Sequence, residues 1–281
     1  SAAVGDNKTV STGSLALTGA GSGNYTLSNY TTSFEIFQRP LSLSGSRVYD
    51  GSTNAVASDL SLSNLVSGET LSLSGTGSVL SAAVGSNKEI SVGSLSLNNG
   101  SGTASNYTLT GGTHQLSISQ RQITISGSRV YDNTSTVNGS DLVVSTGVGV
   151  EVMTLSGQGS IANANVGDNK TVTQNTLSLV SASGSASNYS LGTISVNITK
   201  RPVNVSLEKV YDGSLNAPAS GLKTNGITNT VGGQTLTLSG IGTMQDTGAG
   251  VAKVLSNNGT LALGSGSGSA SNYTLVSGTH I

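Results

Sequence analysis

Apolar and polar residues alternate in short runs along this chain. "LSLS" at 41–44, "TLSLS" at 70–74 and "QLSIS" at 115–119 place an aliphatic side chain at every second position. A period of two is the signature of a strand with one face buried and the other in water. Serine and threonine fill the polar positions, and glycine, asparagine and aspartate separate the runs. Helical spacing with good helix formers is nowhere sustained. The pattern predicts short strands throughout.

The alternation changes phase at three places. Ile90 and Val92 share one parity and Leu95 and Leu97 the other, with Gly93 between them. The flip recurs in Val10, Gly13, Leu15 and Leu17, and in Val172, Asn175, Leu177 and Leu179. Glycine and asparagine tolerate positive φ, so a β-bulge is expected at 13, 93 and 175 that returns both apolar pairs to the core.

The runs belong to a larger period. "NYTL" or "NYSL" begins at Asn24, Asn106, Asn188 and Asn272, in steps of 82, 82 and 84. Lys8, Lys88 and Lys170 close a "VG-N-K" group, which degenerates to "GVAK" at Lys253. Arg39, Arg121 and Arg201 stand in "QRP", "QRQ" and "KRP", and Tyr49, Tyr131 and Tyr211 in "RVYDG", "RVYDN" and "KVYDG". Four markers in one constant order define a tandem array of a unit of about 82 residues. Pro40 and Pro202 lack an amide donor and hold the preceding residue extended, which suits a short stiff link. The boundaries are therefore set at the arginines: 1–38 is the second half of a repeat, followed by repeats at 39–120, 121–200 and 201–281. The expected fold is all-β, an elongated rod of small two-layer β-sandwich or β-roll modules.

Composition narrows the picture. Hydrophobic residues make up 35% of the 281, cysteine and tryptophan are absent, and only Phe34 and Phe37 represent phenylalanine. That content is too thin for one deep core and favours several slim units, each closed by a scarce aromatic. Seven of the eight tyrosines lie in the repeated motifs, Tyr49, Tyr131 and Tyr211 in "VYD" and Tyr25, Tyr107, Tyr189 and Tyr273 after Asn24, Asn106, Asn188 and Asn272. A buried aromatic covers roughly 150–250 Å², so these rings are read as core plugs whose hydroxyls bond a backbone carbonyl. Asp50, Asp132 and Asp212 precede Gly51, Asn133 and Gly213, the sequence of an Asx-type turn with the next residue left-handed. These fourteen residues are the structural signature of the repeat.

"KVYDG" after "ITKRP", then "TLTLSG", a "VG-N-K" turn and "SASNYTL" resemble the YDG-type repeat of large bacterial surface adhesins. The resemblance covers the whole chain and departs at Asn133 and at 246–253. It is a resemblance to exoproteins of two-partner secretion, similar to filamentous haemagglutinin. It implies a secreted or outer-membrane-associated stalk that supports cell attachment or biofilm, and brings no catalytic residues.

Candidate chemistry is sparse. His114 and His280 occupy equivalent "GTH" positions and residues 121–200 contain no histidine, so a nucleophile–base pair has no recurring base. Glu69 and Glu151 align with Gln234, and Asp59 and Asp141 with Gly221, which leaves no recurring carboxylate pair. No cluster of acids suggests a metal, and no cofactor or metal is expected. A net charge of −1 with scattered lysines and arginines argues against nucleic acid. No apolar run approaches the ~18 residues of a membrane span. "GDNK" reads as an exposed hairpin turn, which disfavours a Lys–Asn isopeptide bond. The sequons at Asn24, Asn106, Asn188, Asn204 and Asn272 are a secondary possibility for glycosylation. The expected function is a structural spacer, not an enzyme. The alternatives are direct binding of a surface glycan or biofilm polysaccharide through loops or Tyr30, and homotypic contacts between sheet edges.

Overall fold

A computed structural model describes residues 3–9, 13–27, 33–251 and 253–276. The chain is all-β, and its only helical turns among these residues are short 3-10 segments such as Ala57–Asp59 and Ala104–Asn106. It divides into two compact units, Ser1–Arg121 and Gln122–Ile281.

In the first unit a six-stranded sheet runs Asn54–Val56, Thr76–Val79, Gly85–Ser91, His114–Ser119, Ser42–Val48 and Leu60–Ser63. The closing strand, His114–Ser119, lies parallel to the opening strand, Ser42–Val48, and antiparallel to the lysine strand, Gly85–Ser91. Alternation does what the sequence predicts here: Leu116 and Ile118 are buried while Ser119 is exposed. A separate antiparallel pair joins Leu71–Ser74 to Ser96–Asn99. Among the described residues of 1–38, strand Gly5–Thr9 pairs antiparallel with Ser33–Ile36. In this segment Leu15, Tyr25, Phe34 and Phe37 are exposed.

The second unit contains a four-stranded sheet of Leu142–Val144, Arg121–Val130, Tyr189–Thr199 and Gly167–Thr171. Beyond Lys200 come Leu222–Thr228, Arg201–Leu207 and Tyr273–Leu275 in one sheet, and Asn216–Pro218, Ile241–Met244 and Leu255–Asn257 in another. The separate cores expected for successive repeats are found only in part in this unit, where Val205, Ala217, Leu255 and Leu261 form a cluster of their own. One cluster includes Ile125, Tyr131, Val172, Val196 and Ile198 together with Val203, Leu236 and Tyr273, so the core continues through the Lys200–Arg201 junction. A slim repeat with few large side chains buries them more fully by sharing a face with its neighbour.

Two local expectations are corrected. Gly13, Gly93 and Asn175 have φ of 49°, 58° and 45°, so the left-handed residue sits where the phase flip placed it. The element is a tight turn and not a bulge: the Leu95 amide bonds the Val92 carbonyl, and the Leu177 amide the Gln174 carbonyl. The chain leaves one sheet there and enters another, which changes the face without an extra residue in a ladder. Conversely "GDNK" is no hairpin turn. Gly5–Thr9, Gly85–Ser91 and Gly167–Thr171 are strands, with Asn7, Asn87 and Asn169 at φ near 50° and the register shift inside them.

One pair of positions trades residues between repeats. A Cβ on Gly45 or Gly127 would lie 2.0 Å from the carbonyl oxygen of Asp59 or Asp141. In the last repeat the strand position is Leu207 and the turn position Gly221, where a Cβ would come within 2.0 Å of the Glu208 oxygen. The backbones approach so closely that each repeat needs a glycine at this crossing.

Candidate functional site

The "VYD" motif builds a cation-clamped turn. The Asp50, Asp132 and Asp212 Oδ1 atoms each accept the amide two residues on, from Ser52, Thr134 and Ser214, at 2.9 Å. Gly51, Asn133 and Gly213 take φ of 80°, 63° and 73° to allow it. Three residues before each aspartate, Arg47, Arg129 or Lys209 pairs with the carboxylate and also donates to the carbonyl of Ser52, Thr134 or Ser214. Partial burial pushes Asp50 and Asp132 upward, but the amide and the guanidinium outweigh it and hold both below the usual carboxylate range. For exposed Asp212 the Lys209 ammonium and the Ser214 amide bring the value to about 2.

The "NY" motif reaches further. Each asparagine ends a 3-10 turn, and Tyr107, Tyr189 and Tyr273 each open the strand after it. The Asn106 Oδ1 accepts the Val4 amide at 3.1 Å, and the Asn272 Oδ1 the Val166 amide at 2.9 Å. Asn272 also donates through Nδ2 to Asn165. The asparagine of one repeat therefore satisfies the backbone of the loop before the lysine strand in the preceding repeat. Asn188 and Asn272 are buried, which removes them as glycan acceptors in the folded chain.

The tyrosine hydroxyls find side chains, not the backbone carbonyl expected of a tyrosine corner. Tyr107 donates to Glu69, Tyr189 to Glu151 at 2.6 Å, and Tyr273 to Gln234. The hydroxyls of Tyr107 and Tyr273 also accept the amides of Val66 and Val231, each at 3.2 Å. The Glu69 carboxylate, as acceptor, raises the Tyr107 phenol above its ordinary value. Glu69, Glu151 and Gln234 align in sequence, but glutamate at two positions and glutamine at the third read as a failed carboxylate pair. An acceptor oxygen is all the site needs, and both residues carry one.

Gln234 links two motifs. Its Nε2 donates to the Tyr131 hydroxyl at 3.1 Å while its Oε1 accepts from Tyr273. The two rings meet edge to face, 5.4 Å between centroids. Tyr131 belongs to the repeat before the junction and Gln234 and Tyr273 to the one after it.

Of the fourteen signature residues, Tyr49, Tyr107, Tyr131, Tyr189 and Tyr273 are buried, whereas Tyr25 and Tyr211 are 72% and 67% exposed. The reading of all seven as core plugs is corrected for these two. Asn24 ends its own 3-10 turn.

His114 uses Nε2 on the Leu109 carbonyl at 2.6 Å, at the start of the closing strand. His280 and Tyr30 lie outside the described residues. Among the described residues no group of three or more histidines and acids could hold a metal ion, and no helix is long and apolar enough to cross a membrane. Lys170 bonds Asn163 at 2.9 Å, away from the "NY" asparagines, and Lys253 pairs with Asp246.

Three stretches, 38–116, 113–196 and 197–280, match the family described as YDG domain. The chain belongs to the YDG domain family. Its three YDG repeats account for most of the sequence. No curated protein and no solved structure matches it.

Proposed function

We propose that these YDG repeats are the spacer part of an extracellular bacterial adhesin. In this reading they hold a binding region away from the cell and support attachment or a biofilm matrix. The observation that carries this reading is the Tyr131–Gln234–Tyr273 contact across the junction. The largest side chains of a chain poor in aromatics join one repeat to the next, where a binding module would expose them in a shared patch. The uncharged serine- and threonine-rich surface suits an array that must not stick to itself.

The test is length. In small-angle scattering from arrays carrying two, three and four complete repeats, the maximum dimension should grow by a constant increment of a few tens of ångströms per repeat. A dimension that stays level, or saturable glycan binding by the same arrays, contradicts the spacer role. Exposed Tyr25 and Tyr211 favour the direct-binding alternative on accessibility alone, but the other five motif tyrosines are buried.

A further inference from the structure

The chain enters and leaves a repeat at opposite ends of one parallel ladder. Strand His114–Ser119 runs alongside Ser42–Val48 in the same direction, from His114 beside Leu43 to Ser119 beside Val48. The ladder begins earlier, where Tyr107 and Thr108 pair in parallel with Arg39 and Pro40. The Leu41 and Leu43 amides donate to the Thr108 and Thr113 carbonyls at 2.9 and 3.0 Å, and the Tyr49 amide to the Ser119 carbonyl at 2.9 Å. In the second repeat Arg121–Val130 and Tyr189–Thr199 are sheet neighbours, and the Tyr131 amide closes the pair on the Thr199 carbonyl at 2.9 Å. In the third, Arg201–Val203 lies parallel to Tyr273–Leu275.

Neither strand of the first pair can peel from an edge. His114–Ser119 lies between Ser42–Val48 and Gly85–Ser91, and Ser42–Val48 has Leu60–Ser63 on its other side. Leu41, Leu43, Leu116 and Ile118 are buried, and a slip of one residue takes this apolar set out of register with the core. The point of entry is fastened as well. Arg39 donates through Nε to the Asn64 carbonyl at 2.6 Å and through Nη2 to its Oδ1 at 2.9 Å, while Asn64 Nδ2 donates to the Pro40 carbonyl at 2.8 Å. Arg201, Asn229 and Pro202 repeat the arrangement at 2.7, 2.8 and 2.7 Å. The arginine–proline marker therefore anchors the incoming chain to the residue that follows the neighbouring strand, Leu60–Ser63 or Leu222–Thr228.

We infer that the repeat is a shear clamp, built to bear tension along the chain. A pull outward at Arg39 and at Gln120 draws two parallel strands past each other along their length. The hydrogen bonds from Leu41 to Tyr49 are then loaded together and have to break together. An antiparallel closing strand would put both ends of the repeat on one side, where the same pull opens one bond at a time. Rupture under force is governed by the unfolding barrier, and breaking the ladder in one event raises that barrier. The strength follows from strand direction alone, whereas its use in a tether that holds under pull rests on the spacer reading.

The test pulls on the whole chain in two directions by single-molecule force spectroscopy. The sequence has no cysteine, so handles attach only at introduced ones. The pair Gln38→Cys and Gln120→Cys loads the first repeat from its two ends. The pair Val48→Cys and Gln120→Cys pulls at one end of both strands and opens the ladder sideways. All three positions are exposed, and urea denaturation checks that both double variants are folded. At equal loading rate the first pair should rupture at about twice the force of the second or more. The rupture should come in one step that frees roughly 270–300 Å of chain. Equal forces, or a first pair that yields through a series of short extensions, overturn the inference. The length increment per repeat is read separately by scattering, so a weak repeat that still lengthens the array removes the clamp and keeps the spacer.

Discussion

Tyr131 and Tyr273 meet edge to face across the boundary between two repeats, with Gln234 hydrogen-bonded to both hydroxyls. The arrangement makes the "NY" tyrosine beyond a junction as important to the preceding repeat as to its own. A residue in one repeat should therefore report on the stability of the next.

Gln234→Ala removes the acceptor of Tyr273 and the donor to Tyr131 while leaving both hydroxyls in place. Leaving buried polar groups unsatisfied costs about 1–3 kcal/mol. Gln234→Glu should be milder, because glutamate at 69 and 151 performs the acceptor half of this role. Urea denaturation of the two variants checks the order.

Asn272→Ala should destabilise by about 1–3 kcal/mol, since the Val166 amide and Asn165 lose their partner in a buried site. Asn24→Ala should lie within about 0.5 kcal/mol of the parent, as expected for a surface position. Equal losses at the two sites would contradict an interrepeat role for the motif.

The clamped turns set an acid limit. Asp50, Asp132 and Asp212 are lowered from 3.8 in the folded chain, Asp212 to about 2. A depressed carboxylate stabilises fully above its unfolded value and loses that contribution as pH falls through the folded one. Stability contributed by Asp212 should hold down to pH near 4 and disappear by about 2. Asp212→Asn should flatten this part of the pH profile. At the other extreme Tyr107 is raised above 10.0, so its contribution is complete below 10.0 and lost as alkaline pH passes the higher folded value.

The crossing of strand and turn makes a steric prediction. Gly127→Ala sets a methyl 2.0 Å from the Asp141 oxygen, and Gly221→Ala does the same to Glu208. Each should cost about 1–3 kcal/mol by overpacking, measured by thermal or urea denaturation.

The repeat, the strands and the "VYD" turn are legible in the sequence because each rests on local chemistry. Period-two alternation marks a half-buried strand, and aspartate before glycine or asparagine marks a turn needing positive φ. The destination of Asn106 and Asn272 is not legible, because their partners Val4 and Val166 lie roughly a hundred residues upstream. Glu69, Glu151 and Gln234 are visible as aligned positions. Their shared role is hidden because a search for carboxylate catalysis discards a glutamine, whereas a search for hydrogen-bond acceptors keeps it. Asn7, Asn87 and Asn169 suggest a turn, yet the pairing on both sides of each continues as a strand.

The central claim is that neighbouring repeats share a core through their tyrosines, and a double-mutant cycle on Tyr131 and Tyr273 tests it most directly. With Tyr131→Ala, Tyr273→Ala and the double variant unfolded in urea, a coupling energy of about 0.5–1.5 kcal/mol is predicted. Strictly additive losses would mean that each ring serves only its own repeat, and the shared core would be wrong.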